Sequence, residues 1–260
     1  MENATIVERT MITPDLMILK IKPDAGVPSF SSGQYIAIGM PGKYPRASHL
    51  PAEAEPPVDP EKIIKRAYSI GSSPDEKDAL ELYIAVVQTG SLTPRLLCTE
   101  VGQRIFAAPK IVGTFTLHDV PADKNLVLVS TGTGLAPFIS MIRSKSTWQD
   151  PARKVTILHG VRFKGDLGYQ DEIKDLIQKG LPITYCPVVS RETPTADEFK
   201  KGYVQHLFSD GSVTLNPSTD HVFMCGNPSM IDEVESLLLT KGFILHSKKH
   251  PGNLHVEKYW

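Results

Sequence analysis

The sequence predicts two domains, an antiparallel β-barrel over residues 1–120 followed by an α/β domain with a parallel sheet over residues 121–260. Three observations predict this. The first part consists of short β-rich runs separated by Pro, Gly, Asp and Ser, the texture of a small barrel. From about Lys124, apolar strand-length runs alternate with helical patterns, as βαβ units do. The chain pivots on Leu126 to Val129, an apolar run that meets the glycine-rich turn Gly132-Thr-Gly-Leu-Ala-Pro137 and then a helix.

In the first part the expected strands are Thr5 to Arg9, Leu16 to Lys22, Gln34 to Gly39, Ala67 to Ser69 and Leu80 to Val87. Between Met40 and Lys65 lies an excursion holding six prolines and several charges. It reads as a solvated surface loop, with a partner-docking loop as the alternative. The segment Pro121-Ala-Asp-Lys is the expected boundary. Beyond it come Leu126 to Val129, a helix opened by Pro137, and Val155 to His159. Gln170 to Lys179 (helical), Ile183 to Val189, His221 to Met224 and Met230 to Lys241 (helical) follow.

Composition excludes several functions. A formal net charge of -1 over 260 residues argues against a general nucleic-acid binder. No apolar run approaches the roughly 20 residues that cross a bilayer. Met1-Glu-Asn-Ala-Thr lacks the form of a signal peptide. Cys98, Cys186 and Cys225 are scattered, with no Cys-x-x-Cys pair to ligate zinc or an iron–sulfur cluster. No bound metal is expected, and a reduced cytoplasmic setting is. A monomer is the expectation, with no long heptad or obvious interface segment visible and oligomeric state otherwise unmarked in the sequence.

A buried strand, a glycine turn and a helix can aim backbone N–H groups at a phosphate, and Gly132 and Gly134 would let a ligand approach. A tight structural βα turn would look the same. In the barrel half, Arg66-Ala-Tyr-Ser69 alternates Arg66 and Tyr68 onto one face, a pairing suited to a phosphate and a flat ring. An edge strand with a surface arginine has the same pattern. Thr93 ends a Gly-x-x-Thr turn before Pro94 and could add a hydroxyl there. Arg162 and Arg191 each follow a strand end and could converge on one anion; separately, each is a surface arginine in a polar loop.

Together these motifs form an ordered set. Arg66-Ala-Tyr-Ser69 and Gly90-Ser-Leu-Thr93 precede Gly132-Thr-Gly-Leu-Ala-Pro137, His159-Gly-Val-Arg162 and Val189-Ser-Arg-Glu192. Cys225-Gly-Asn-Pro-Ser-Met230 and the closing Val256-Glu-Lys-Tyr-Trp260 complete it. Over nearly the whole chain this resembles the bacterial-type ferredoxin (or flavodoxin)–NADP+ reductases of the flavoprotein reductase superfamily. The resemblance implies an FAD-binding barrel and a Rossmann-like NADP(H)-binding domain whose C-terminal tail returns to the flavin. FAD would be held by Arg66, Ala67, Tyr68, Ser69, Ser91, Leu92, Thr93, Thr133, Tyr259 and Trp260. NADP would be held by Gly132, Gly134, Val161, Arg162, Ser190, Arg191, Gly226, Asn227 and Pro228. Ser69, Thr133 and Cys225 would lie at the reacting rings, although Cys225 also reads as an inert buried thiol.

The implied reaction is hydride exchange between NADP(H) and FAD N5, then one-electron steps with ferredoxin or flavodoxin. The alternative is an NAD(P)H-dependent reductase component of an oxygenase system, which shares the fold. A nucleotide-binding scaffold without turnover is disfavoured by the intact Arg66, Tyr68, Ser69 and Thr133. Two departures stand out. The proline-rich excursion is longer than the family pattern, and Tyr203 stands where relatives place an arginine for the 2'-phosphate.

Overall fold

A computed structural model describes residues 1–258 of the chain. Two compact units emerge, one of Met1–Thr116 with Ile139–Arg143, the other of Leu117–Phe138 with the chain from Ser144 onward.

The first unit contains β1 (Ala4–Thr13), β2 (Leu16–Pro23), β3 (Tyr35–Pro41), β4 (Ile63–Ser69), β5 (Leu80–Ala85), a one-turn helix α1 (Thr93–Leu96) and β6 (Arg104–Ala107). All pair antiparallel in the order β4-β3-β6-β1-β2-β5. Strand alternation builds the core: Met17, Leu19 and Ile21 of β2 are fully buried, as are Ile36 and Ile38 of β3. The sheet curls but is not a closed barrel. Among the described residues, only an isolated bridge links its edges: Ile70, just past β4, pairs with Leu82 of β5, and Gly71 N–H donates to Glu81 O at 2.8 Å. Ile139–Arg143 is held in this unit by hydrogen bonds. The Ser140 hydroxyl donates to Ser72 O at 2.7 Å, and Arg143 Nη1 meets the buried Glu81 carboxylate at 2.7 Å.

The second unit contains β7 (Asn125–Thr131), α2 (Ala136–Arg143, only its start), β8 (Val155–Val161), α3 (Gln170–Gln178), β9 (Ile183–Val189) and β10 (Lys200–Lys201). After these come α4 (His206–Ser209), β11 (Asp220–Gly226), α5 (Pro228–Thr240) and β12 (Leu254–Lys258). Its strands are all parallel in the order β10-β9-β8-β7-β11-β12. Leu126 to Val129 are buried without alternation, as expected for a central strand covered on both faces. The chain winds from β7 out to β10 and then returns to the other side of β7. That reversal makes the gap between β7 and β11 a topological switch point.

Among the described residues, no helix is long and apolar enough to cross a membrane.

Candidate functional site

In a parallel sheet all strands end at one edge, and here the ends of β7, β8, β9 and β11 carry the motifs onto it. Gly132, Arg162, Ser190 and Asn227 each lie just beyond a strand end. At the switch point the chain leaves β7 through a tight 3-10 turn, Gly132–Leu135, before α2. Gly132 adopts φ +52 and open space surrounds its Cβ direction, so the turn keeps one face accessible. Gly134 is small for a different reason from the one its motif implied. A Cβ there would stand 2.3 Å from Cys225 O and 3.0 Å from Gly226 Cα. Its missing side chain admits the neighbouring backbone of β11.

Gly226 completes the same packing. With φ +131, it would place a Cβ 2.3 Å from the Thr131 hydroxyl oxygen. That oxygen accepts from Asn227 N–H at 2.8 Å, tying the end of β7 to the start of α5. The Asn227 side chain then caps α5, accepting from Ser229 N–H at 2.8 Å and Met230 N–H at 3.4 Å, with Pro228 following in the first turn. Asn and Pro therefore have a folding role here beside any ligand role. Cys225 is fully buried, with its Sγ 3.8 Å from Glu257 Oε2.

His159, quoted only as part of a motif, is the support that sequence reasoning missed. Its fully buried ring sits 3.1 Å (Nε2) from Gly132 O and 3.2 Å (Nδ1) from the Tyr185 hydroxyl. A carbonyl can only accept, so Nε2 carries the proton and Nδ1 accepts from Tyr185. Burial pulls the imidazole down to about 4, against the opposing effect of the Gly132 hydrogen bond. A neutral histidine thus fixes the carbonyl of the glycine turn at physiological pH. The apolar run Val155-Thr-Ile-Leu leading into His159 was the available signal.

Farther along the edge the groups are cationic and exposed. Arg191 N–H donates to Arg162 O at 2.9 Å, so the two arginines stand on adjoining loops. Both are exposed, and the Arg191 guanidinium lies 5.8 Å from the centre of the Phe163 ring. Val161 is buried, and its carbonyl accepts from both the N–H (3.0 Å) and the hydroxyl (3.3 Å) of Ser190. Lys201 pairs beside Val189, and Gly202 N–H donates to Val189 O at 3.0 Å, which brings Tyr203 to this rim with 56% of its surface exposed. Thr133 is half-buried in the glycine turn.

In the first unit, Arg66 stands opposite Ile38 and Tyr68 opposite Ile36, so both side chains share the face of those two isoleucines. Tyr68 packs against the core, and burial raises its phenol pKa despite nearby Arg66. Ala67 and Arg66 are exposed, and Ser69 is buried. Among the described residues, the guanidinium of Arg66 makes one hydrogen bond, to Lys65 O at 2.8 Å, and no ion pair. An exposed guanidinium with N–H groups to spare beside a half-buried phenol ring suits a phosphate attached to a planar ring system. Leu92 and Thr93 are buried in and before α1, the Thr93 hydroxyl accepting from Val87 N–H at 2.8 Å, while Ser91 Oγ donates to Glu55 O at 3.3 Å. Tyr259 and Trp260 lie outside the described residues.

An antiparallel sheet followed by a parallel sheet with a glycine turn at its switch point defines a two-domain protein whose second domain has the form of a dinucleotide-binding domain. The model of the oxidoreductase NAD-binding domain family matches residues 128–236. The ferredoxin–NADP reductase of Pseudomonas aeruginosa is 31% identical over 242 residues, 88% of this chain and 86% of that protein. The flavodoxin/ferredoxin–NADP reductase of Escherichia coli is 30% identical over 244 residues, covering 91% of this chain and 90% of its own. A crystal structure of a ferredoxin NADP+ reductase from Neisseria gonorrhoeae with bound FAD and NADP shares the fold. Its TM-score is 0.81 at 23% identity, over 98% of this chain and 97% of that one. The chain belongs to the ferredoxin/flavodoxin–NADP reductase family.

Proposed function

We propose that this chain exchanges electrons between NADP(H) and a ferredoxin or flavodoxin through bound FAD, with residues 1–120 as the FAD domain and 121–260 as the NADP(H) domain. The observation that carries this reading is the joint presence, in one chain, of two chemically matched sites. One is an exposed Arg66 beside the half-buried Tyr68 ring; the other is a switch-point glycine turn on the same sheet edge as Arg162 and Arg191. When bound, FAD supplies the step between a two-electron hydride donor and a one-electron acceptor.

The chain's own residues bind, orient and exclude water. Arg66 holds the pyrophosphate, Tyr68 flanks the isoalloxazine, and Ala67 and Ser69 line it through the strand end. Ser91, Leu92 and Thr93 contact the phosphates. The Gly132 turn with Gly134, steadied by His159, receives the nicotinamide half of the dinucleotide, and Thr133 and Cys225 border the ring. Gly226, Asn227 and Pro228 shape the path of the pyrophosphate. Val161 and Ser190 support the loops from which Arg162 and Arg191 reach the 2'-phosphate. Tyr259 and Trp260 are assigned to the flavin as a stacking cover. The protein works as a monomer in the cytoplasm, a setting suggested by three cysteines scattered through the sequence without Cys-x-x-Cys spacing.

Purified protein should carry or take up FAD, bleach anaerobically with NADPH, and then reduce ferredoxin or flavodoxin faster than a cytochrome acceptor. Bleaching without delivery to either carrier would move the chain to the oxygenase-reductase reading. Absence of flavin binding would end both.

A further inference from the structure

The excursion between β3 and β4 is fixed at both ends of its path. At the neck, Gly42 N–H donates to Lys62 O (3.2 Å) and Lys43 N–H to Pro60 O (2.8 Å). At the far end it closes on the segment from Gln88 to Arg95. Arg46 Nη2 donates to Gln88 O (3.0 Å) and Gly90 O (3.4 Å), and Ala54 N–H donates to Thr89 O (2.9 Å). Ala47 N–H adds a bond to Pro94 O at 3.2 Å. Arg95 itself donates to Ser91 O and twice to Gly42 O, at 3.0 and 2.8 Å.

Glu53 ties these pieces together. Its two oxygens each lie 3.1 Å from an Arg95 nitrogen, and Arg46 Nε stands 3.8 Å away. The Glu53 and Arg95 side chains are 7% and 5% exposed. Burial raises the Glu53 pKa, but hydrogen bonds from Arg95 and Ser91 and both guanidinium charges outweigh it and hold the carboxyl below its ordinary value. Such a buried pair is weak evidence for added stability, since desolvation offsets most of the attraction. What it does supply is a fixed geometry.

That geometry has a direction. All four carbonyls from Gln88 to Ser91 are drawn toward the excursion or Arg95. A planar trans peptide points its N–H opposite its C=O, so the N–H groups of Ser91 and Leu92 turn the other way. Neither N–H bonds any described residue. We propose that the 42–62 excursion is a clasp that pre-orients the 88–93 segment for the pyrophosphate of FAD, with Glu53 and Arg46 as its positioning residues. The proposal rests on the FAD reading given above and extends it to residues that touch no flavin themselves.

The test uses apoprotein of the full chain, titrated with FAD and, separately, with riboflavin, which has the ring but no phosphate. Arg46→Lys keeps the charge but loses the Nη1–Nη2 fork that ties Pro51 O within the excursion to Gln88 O and Gly90 O; Glu53→Ala removes the tie, and Glu53→Gln keeps one acceptor. Arg46→Lys and Glu53→Ala should weaken FAD about tenfold or more, Glu53→Gln less, and riboflavin affinity should not change, because lost pre-orientation acts only on the phosphate contacts. Should Glu53→Ala fail to fold, Arg46→Lys carries the test alone. Unchanged FAD affinity in Arg46→Lys, or equal weakening of FAD and riboflavin, would overturn the clasp while leaving the flavoprotein reading intact. Failure of the unaltered chain to bind FAD would overturn both.

Discussion

Acidification should destabilise the second unit through two histidines that are buried uncharged. Burial takes His159 down to about 4. His255 is 4% exposed, stacked on Phe223 at 4.1 Å and flanked by His246 and His221; burial first, then those two rings, bring it down to about 3. In the unfolded chain both revert to 6.5. A depressed histidine makes its full contribution above the unfolded value, and stability falls as pH drops below 6.5 until the native ring itself protonates. At about pH 5 the unfolded chain holds two protons that the native unit does not, and each costs about 1.4 kcal/mol per pH unit. Over some 1.5 units that is about 2 kcal/mol per ring and about 4 kcal/mol together, a large share of a typical folding free energy. His221, lowered chiefly by burial and then by Lys124, His246 and Arg153 despite Asp123, adds in the same direction. Urea unfolding followed by circular dichroism from about pH 7.5 to 5 gives the proton uptake from the slope. His255→Phe keeps an aromatic ring against Phe223 and should remove about one proton from that uptake. A stability that is flat over this range, or a slope unchanged in His255→Phe, would refute the reasoning.

Arg66→Ala should weaken FAD binding by about 1.5–3 kcal/mol, roughly ten- to 150-fold, because a charge-assisted phosphate contact is lost; isothermal titration of apoprotein measures it. Arg191→Ala should reduce the kcat/KM preference for NADPH over NADH by about fivefold, an exposed pair contributing about 1 kcal/mol, and less at high salt. Tyr203→Arg should raise that preference under the same assay; equal efficiency with both coenzymes in the intact enzyme would sink the 2'-phosphate assignment. Asn227→Ala should cost about 1 kcal/mol of stability through the lost α5 cap, read as a lower urea midpoint. Removing Tyr259 and Trp260 should alter the visible flavin spectrum, and an unchanged spectrum would end the stacking assignment.

Elements with strong periodicity were legible in the sequence. Ile183 to Val189 matches β9 at both ends, and the helix expected from Met230 to Lys241 needs only its Asn227 cap and first turn to become α5. The elements that were not legible depend on partners distant in sequence. Arg104–Ala107 has four residues and becomes β6 by lying between β1 and β3. Leu254–Lys258 becomes β12 through its ladder with β11, and the two-residue β10 exists only against β9. At the site, the close packing of Gly134 had no trace in the sequence, since a glycine's position in a motif does not distinguish space left for a ligand from space filled by Cys225 O. The Met40 to Lys65 excursion read as a solvated loop because its prolines and charges are a loop's composition. Its anchors, Glu53 to Arg95 and Arg46 to Gln88, span 42 residues each and leave no local trace.

The close approach of Gly134 and Gly226 divides the crevice into parts with different freedom to change. Where a methyl group would land 2.3 Å from a neighbouring oxygen, any replacement must move a strand end, so the floor between β7 and β11 is closed to gradual substitution. The rim carrying Arg162, Arg191, Lys201 and Tyr203 is exposed and bears almost none of the core. If the dinucleotide binds as proposed, coenzyme choice would be open to redesign through charges on the rim while the floor stays the same.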